Sequence, residues 1–169
     1  MDAAALRTLQ APLKDRYRAE PEAAVITLKA EGTLDDQHIA CKVETGRALA
    51  VAGLHPATGG SGAELCSGDM LLEALVACAG VTLKAVATAL EIPLRSGTVK
   101  AEGDLDFRGT LGVDKGAPVG FKNIRLAFEV DTDAPQEKVD QLLKLTERYC
   151  VVFQTLNNRP ELTVAAKRA

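Results

Sequence analysis

Four cysteines carry whatever thiol chemistry this chain has: Cys41, Cys66, Cys78 and Cys150. No two stand as C-x-x-C, and four in 169 residues is too sparse for a secreted disulfide scaffold. Cys78 lies in the middle of "LLEALVACAGVTLKAVATAL" (71–90). There it is either a small hydrophobe filling a core or a nucleophile. Its position does not activate it, because a helix dipole acts over the first and last turns. A low thiolate pKa at Cys78 therefore requires a cation brought from elsewhere. Cys150 closes an amphipathic segment within "LTERYCVVFQTL". The two cysteines are either unrelated core residues or halves of a transient disulfide, which needs their Cα atoms within bridging distance.

The other candidates are weaker. His38, Cys41, His55 and Cys66 match no common zinc spacing, so no metal is expected. Cys66, beside a predicted helix start, is a packing or surface residue whose pKa that start could lower. The loop "ATGGSGAELCSGD" (57–69) lacks the G-K-[ST] of a phosphate-binding loop and opens no dinucleotide-binding pattern. There is no G-x-S-x-G elbow, and two histidines leave few ways to build a Ser-His-Asp triad. Asp69 and Glu73, one turn apart, read either as a carboxylate pair or as a first helical turn that favours negative charge. No cofactor is expected.

Bulk composition narrows the partners. The chain is 47% apolar and 25% charged, with a net charge of −3, too balanced for a protein that neutralises phosphates. Aromatics at 4% and no Trp argue against base-stacking platforms. Neither nucleic acid nor a membrane is expected as partner: Glu73 and Lys84 interrupt the most apolar run. The first twenty residues mix acids with bases and offer no apolar leader, so a cytoplasmic location is the expectation.

These residues need elements to hold them. Residues 3–18 have Leu6, Leu9 and Leu13 at helical spacing, with Pro12 predicting a short or broken helix. Residues 1–20 read as a helical extension of one domain spanning 1–169. A strand over 22–32 follows, then strand, Thr45-Gly46 turn and strand over 38–53. After a Gly-rich loop (54–68), a long helix runs from Asp69 to about Ile92, N-capped by Ser67 or Asp69 and stopped by Pro93. Strands are predicted at 97–109 and 120–132; in the second, Ile124, Leu126, Phe128 and Val130 alternate with polar positions. Helices at 134–150 and 151–158 and a final strand at 161–167 complete the chain. The fold class is α+β, with antiparallel or mixed sheets around a long central helix. That helix is apolar on nearly every side, which predicts full burial. One chain of this size has little to cover it with, so a homodimer is expected.

The run "ELCSGDMLLEALVACAGVTLKAVATAL", followed about seventy residues on by "ERYCVVFQTL", resembles the OsmC/Ohr family of thiol-dependent hydroperoxide reductases. The order of helix, cysteine, intervening strands and second cysteine carries the resemblance, over about residues 22–167. It implies an OsmC-like intertwined homodimer with sites at the subunit interface. It makes Cys78 the peroxidatic cysteine, oxidised by organic hydroperoxides, and Cys150 the resolving one. It also implies regeneration by a dithiol reductant, possibly a lipoylated protein. The family's thiolate is stabilised by an arginine and oriented by a glutamate nine or ten residues before the peroxidatic cysteine. Here those two places hold Asp69 and Gly68, and a regular helix turns Asp69 away from Cys78. Arg47 stands for the arginine, with Arg148 as competitor, and the family's C-P-V is C-V-V here. Apolar residues on the Cys78 face (Leu71, Ala74, Leu75, Val81, Ala85) favour bulky organic peroxides. The alternative is a non-enzymatic protein of the same fold, binding a small apolar or thiol ligand at the dimer interface.

Overall fold

The computed structural model describes residues 3–34, 41–43, 53–63 and 65–168. Its elements, in chain order, are α1 (Ala3–Ala19), β1 (Val25–Leu34), β2 (Cys41–Val43), α2 (Ser67–Ala89), β3 (Ser96–Asp106), α3 (Phe107–Thr110), β4 (Phe121–Asp131), α4 (Gln136–Tyr149) and α5 (Val151–Asn157). The four strands form one antiparallel sheet in the order β2-β1-β3-β4. The fold class is α+β, as the alternation of strand and helix patterns predicts.

The sheet exists because β3 and β4 each present one apolar face. Val99 and Ala101 of β3 are buried, and Ile124, Leu126, Phe128 and Val130 of β4 point to the same core at period two. Helix α2 lies across this face with Leu72, Leu75, Val76, Ala79, Gly80, Leu83 and Ala87 buried, a stripe at three- and four-residue spacing. Both α4 and α5 pack against α2. Cys150 and the first half of α2 share a core with β3; Leu83, Ala87, Ile92 and Leu142 form a second one farther along.

Four expectations change. Within one chain α2 buries only one face: Leu71 and Val81 are 37% and 40% exposed, and Ala74 is exposed too. The N-cap of α2 is Cys66 rather than Ser67 or Asp69, and its side chain makes no capping hydrogen bond. Pro12 does not break α1, which runs unbroken through it. Proline removes one backbone bond there, but Leu13 and Tyr17 dock on a core with Ala57 and Phe107, and the Tyr17 hydroxyl donates to the Ala57 carbonyl at 2.7 Å. Residues 161–167 form no strand: Leu162 and Val164 are 79% and 97% exposed. Alternation alone cannot make a strand without a neighbour to pair with.

By length and hydropathy α2 passes as a membrane-crossing helix, yet its apolar stripe packs on the sheet as a core helix does. The hairpin predicted around Thr45-Gly46, Arg47 within it, and His38 lie outside the described residues; of the region 38–53, β2 is the strand described.

Candidate active site

Cys78 sits half-buried in the fourth turn of α2 and packs against the core that holds Cys150. Cys150 is fully buried. The two thiols are neighbours: Cys78 packs on the cluster that contains Cys150, and its proximity contributes to raising the Cys150 pKa. Both are free thiols, as is Cys66.

The backbone brings Cys150 there by a local break. Residue 150 is extended (φ −72°, ψ 106°), so α4 ends at Tyr149 and α5 begins at Val151 in a new direction. The same residue is the last cap of α4 and the first cap of α5: its N–H donates to the Thr146 carbonyl, and its Sγ accepts from the Phe153 N–H at 3.5 Å. Its side chain is thus fixed from both sides and delivered onto α2. Burial pushes the Cys150 thiol up to about 11; the Phe153 N–H opposes that shift, and the nearby Cys78 adds to it.

The acid and the cation expected to assist do not join this pair among the described residues. Asp69, half-buried in the first turn of α2, is held above the usual carboxylate range by burial, with His55 pulling the other way. Glu73 is raised by burial and by Asp69. Asp69 thus belongs to a cluster at the start of α2, half a turn round the helix from Cys78. Arg148 lies with its guanidinium carbon 5.6 Å from the centre of the Tyr149 ring. Arg95, Arg108 and Arg125 are paired with carboxylates.

The apolar stripe expected to line the thiol pocket divides. Leu75 faces the core, whereas Leu71, Ala74 and Val81 face outward. A cavity of about 270 Å³ is instead walled by Leu75, Phe121, Ile124, Leu126, Phe153 and Leu156; neither cysteine lines it, but Leu75 and Phe153 pack on the same core as Cys78 and Cys150. Sequence reasoning missed Phe153, although its place three residues after Cys150 in a helical pattern is a usable signal. His55, weighed from the sequence only as a metal ligand, stacks its ring on Phe107 at 4.9 Å between centroids, and its Nδ1 accepts from the Ala57 N–H.

A buried thiol and a half-buried thiol thus share one core on an α+β scaffold. The OsmC-like protein family model matches residues 60–165, which takes in α2, both sheet strands that follow and both cysteines; the chain belongs to that family. No curated protein matches this sequence. Among solved structures, a crystal structure of an OsmC-like hydroperoxide resistance protein from Jannaschia sp. CCS1 superposes with a TM-score of 0.61. The match covers 86% of this chain and 95% of that one at 17% identity, and so shows a shared fold.

Proposed function

We propose that this chain reduces organic hydroperoxides by a two-cysteine cycle, and the adjacency of Cys78 to a buried Cys150 is the observation that carries the reading. The Cys78 thiolate attacks the distal peroxide oxygen, the O–O bond breaks, and the alkoxide takes a proton and leaves as an alcohol. Cys78 is then a sulfenic acid. The Cys150 sulfur attacks it, a water molecule departs, and a Cys78–Cys150 disulfide remains. A dithiol reductant exchanges with that disulfide and returns both thiols, itself becoming the disulfide. The resemblance makes a lipoylated protein the natural donor and Arg47 or Arg148 the cation; Asp69, half a turn from Cys78, would serve as the substitute acid only by reaching another subunit.

The test is an intact mass and peptide map after one equivalent of cumene hydroperoxide. The expected result is rapid loss of two hydrogens, mapping to a Cys78–Cys150 bridge. Thiols unmodified after minutes in folded protein would sink the peroxidase and leave a binding protein of the same fold.

We further propose that the working form is a homodimer in which the partner covers the outer face of α2. Leu71, Ala74, Cys78 and Val81 follow one another at three- and four-residue spacing along that helix, so a cover over the exposed apolar residues also closes over the thiol. Val81→Arg should therefore convert the protein to monomer in sedimentation velocity and lower peroxide turnover in parallel. A wild-type chain that sediments as monomer at micromolar concentration would overturn the dimer.

A further inference from the structure

Two cavities flank one aromatic side chain. The first is walled by Leu75, three residues before Cys78, and by Phe153, three after Cys150, with Lys122, Asn123 and Asn157 as its polar lining. The second, of about 350 Å³, is walled by Leu54, Leu71, Leu105, Phe107 and Val119, with His55, Thr58, Cys66, Ser67 and Thr110 as polar lining. Among the described residues Phe121 alone belongs to both walls.

Phe121 reaches that place by two local devices. Strict alternation along β4 sends Phe121 to the side opposite Ile124 and Leu126. A register shift between Asp104 and Leu105 pairs Asp104 with Asn123 but Leu105 with Phe121, leaving Lys122 as the extra residue. This bulge turns Phe121 back to the core face, a known use of bulges beside functional sites. The partner strand then makes room: a Cβ on Gly103 would stand 2.4 Å from Cε1 of the Phe121 ring. The ring thus lies over a glycine and forms a wall between the two spaces.

From this geometry we infer that Phe121 sets the length of substrate the site accepts, stopping an alkyl chain at the end of the first cavity. The inference rests on the peroxidase reading, because it places the peroxide at Cys78 and the tail along Leu75 and Phe153. The occupant is an unbranched alkyl hydroperoxide: the walls are aliphatic and aromatic, and polar groups stand at the rim. At roughly 30 Å³ for each water-sized group, the first cavity takes a chain of about nine carbons. The second cavity offers more apolar wall than that, and the Phe121 ring stands between.

The experiment uses the full chain with dihydrolipoamide as reductant and linear hydroperoxides from butyl to hexadecyl. Wild-type kcat/KM should climb roughly three- to fourfold per methylene and then level off near the first cavity's capacity. Phe121→Ala should carry the climb about four carbons further. Phe121→Leu, a milder change to the core, should shift the break the same way by less and serves if the alanine variant fails to fold. A second readout needs no turnover: displacement of a fluorescent fatty acid by linear fatty acids of the same lengths should show the same breaks. A break at the same length in wild type and the folded variants would overturn the inference. Absence of any hydroperoxide reduction would remove the peroxidase reading, and the fatty-acid series would still decide the role of Phe121.

Discussion

Cys78→Ser should cut hydroperoxide turnover by about a thousandfold or more, because in the proposed cycle Cys78 supplies the attacking sulfur. Cys150→Ser should behave differently. One equivalent of peroxide is still consumed at a rate near wild type, and the cycle then stops with a sulfenic acid on Cys78. Dimedone should label Cys78 in that variant and not in the wild type, where the buried neighbour captures the sulfenate first. The pH dependence separates the two steps. The thiol of Cys150 is pushed up to about 11, so its thiolate fraction rises tenfold per pH unit across the neutral range. Disulfide formation after the peroxide step should therefore quicken with pH and reach no plateau below pH 9, as stopped-flow thiol loss would record. A resolution rate flat from pH 6 to 9 would mean that Cys150 does not attack as a thiolate.

The thiol pair shows what the sequence carried and what it lacked. The extent of α2 was legible from apolar spacing and from Pro93, and β4 from its alternation. The two cysteines could be named, but not placed together. Their adjacency depends on the change of direction at Cys150, a single residue with extended dihedrals between two helices, and no periodicity encodes that. Phe121 was illegible for a related reason: one extra residue at a bulge inverts its face, so period-two counting points it the wrong way. The strand pattern at 161–167 misled because alternation describes a residue's preference, whereas a strand requires a second strand beside it. In α1 the error ran the other way, since docking of Leu13 and Tyr17 outweighed the local cost of Pro12. For Asp69 the helical count was sufficient: half a turn from Cys78, its titratable neighbours are His55 and Glu73.

Arg108→Met should destabilise the fold by about 3 kcal/mol at neutral pH. The reason lies at the end of β3, where Asp106 keeps only 1% of its surface exposed. Its Oδ1 accepts from the Arg108 Nε at 3.0 Å and from the Arg108 backbone N–H, and its Oδ2 accepts from Nη2 at 2.6 Å. Removing the guanidinium strands a buried carboxylate. The figure sits at the low end for a buried pair because the Arg108 side chain keeps 22% of its own surface in water. The pairing holds the Asp106 carboxyl below the usual carboxylate range, against the opposing effect of burial. A depressed folded pKa contributes stability above the unfolded value, about 3.9, and that contribution is lost as pH falls through the folded pKa. The deficit of Arg108→Met should thus be widest at pH 7 and shrink near pH 4, where protonation relieves the stranded carboxylate. Asp106→Asn combined with Arg108→Met should recover part of the loss, since no charge is then left buried alone. Urea midpoints at pH 7 and pH 4 measure all three chains. An equal deficit at both pH values would assign the loss to packing around the neighbouring Phe107 rather than to the charge.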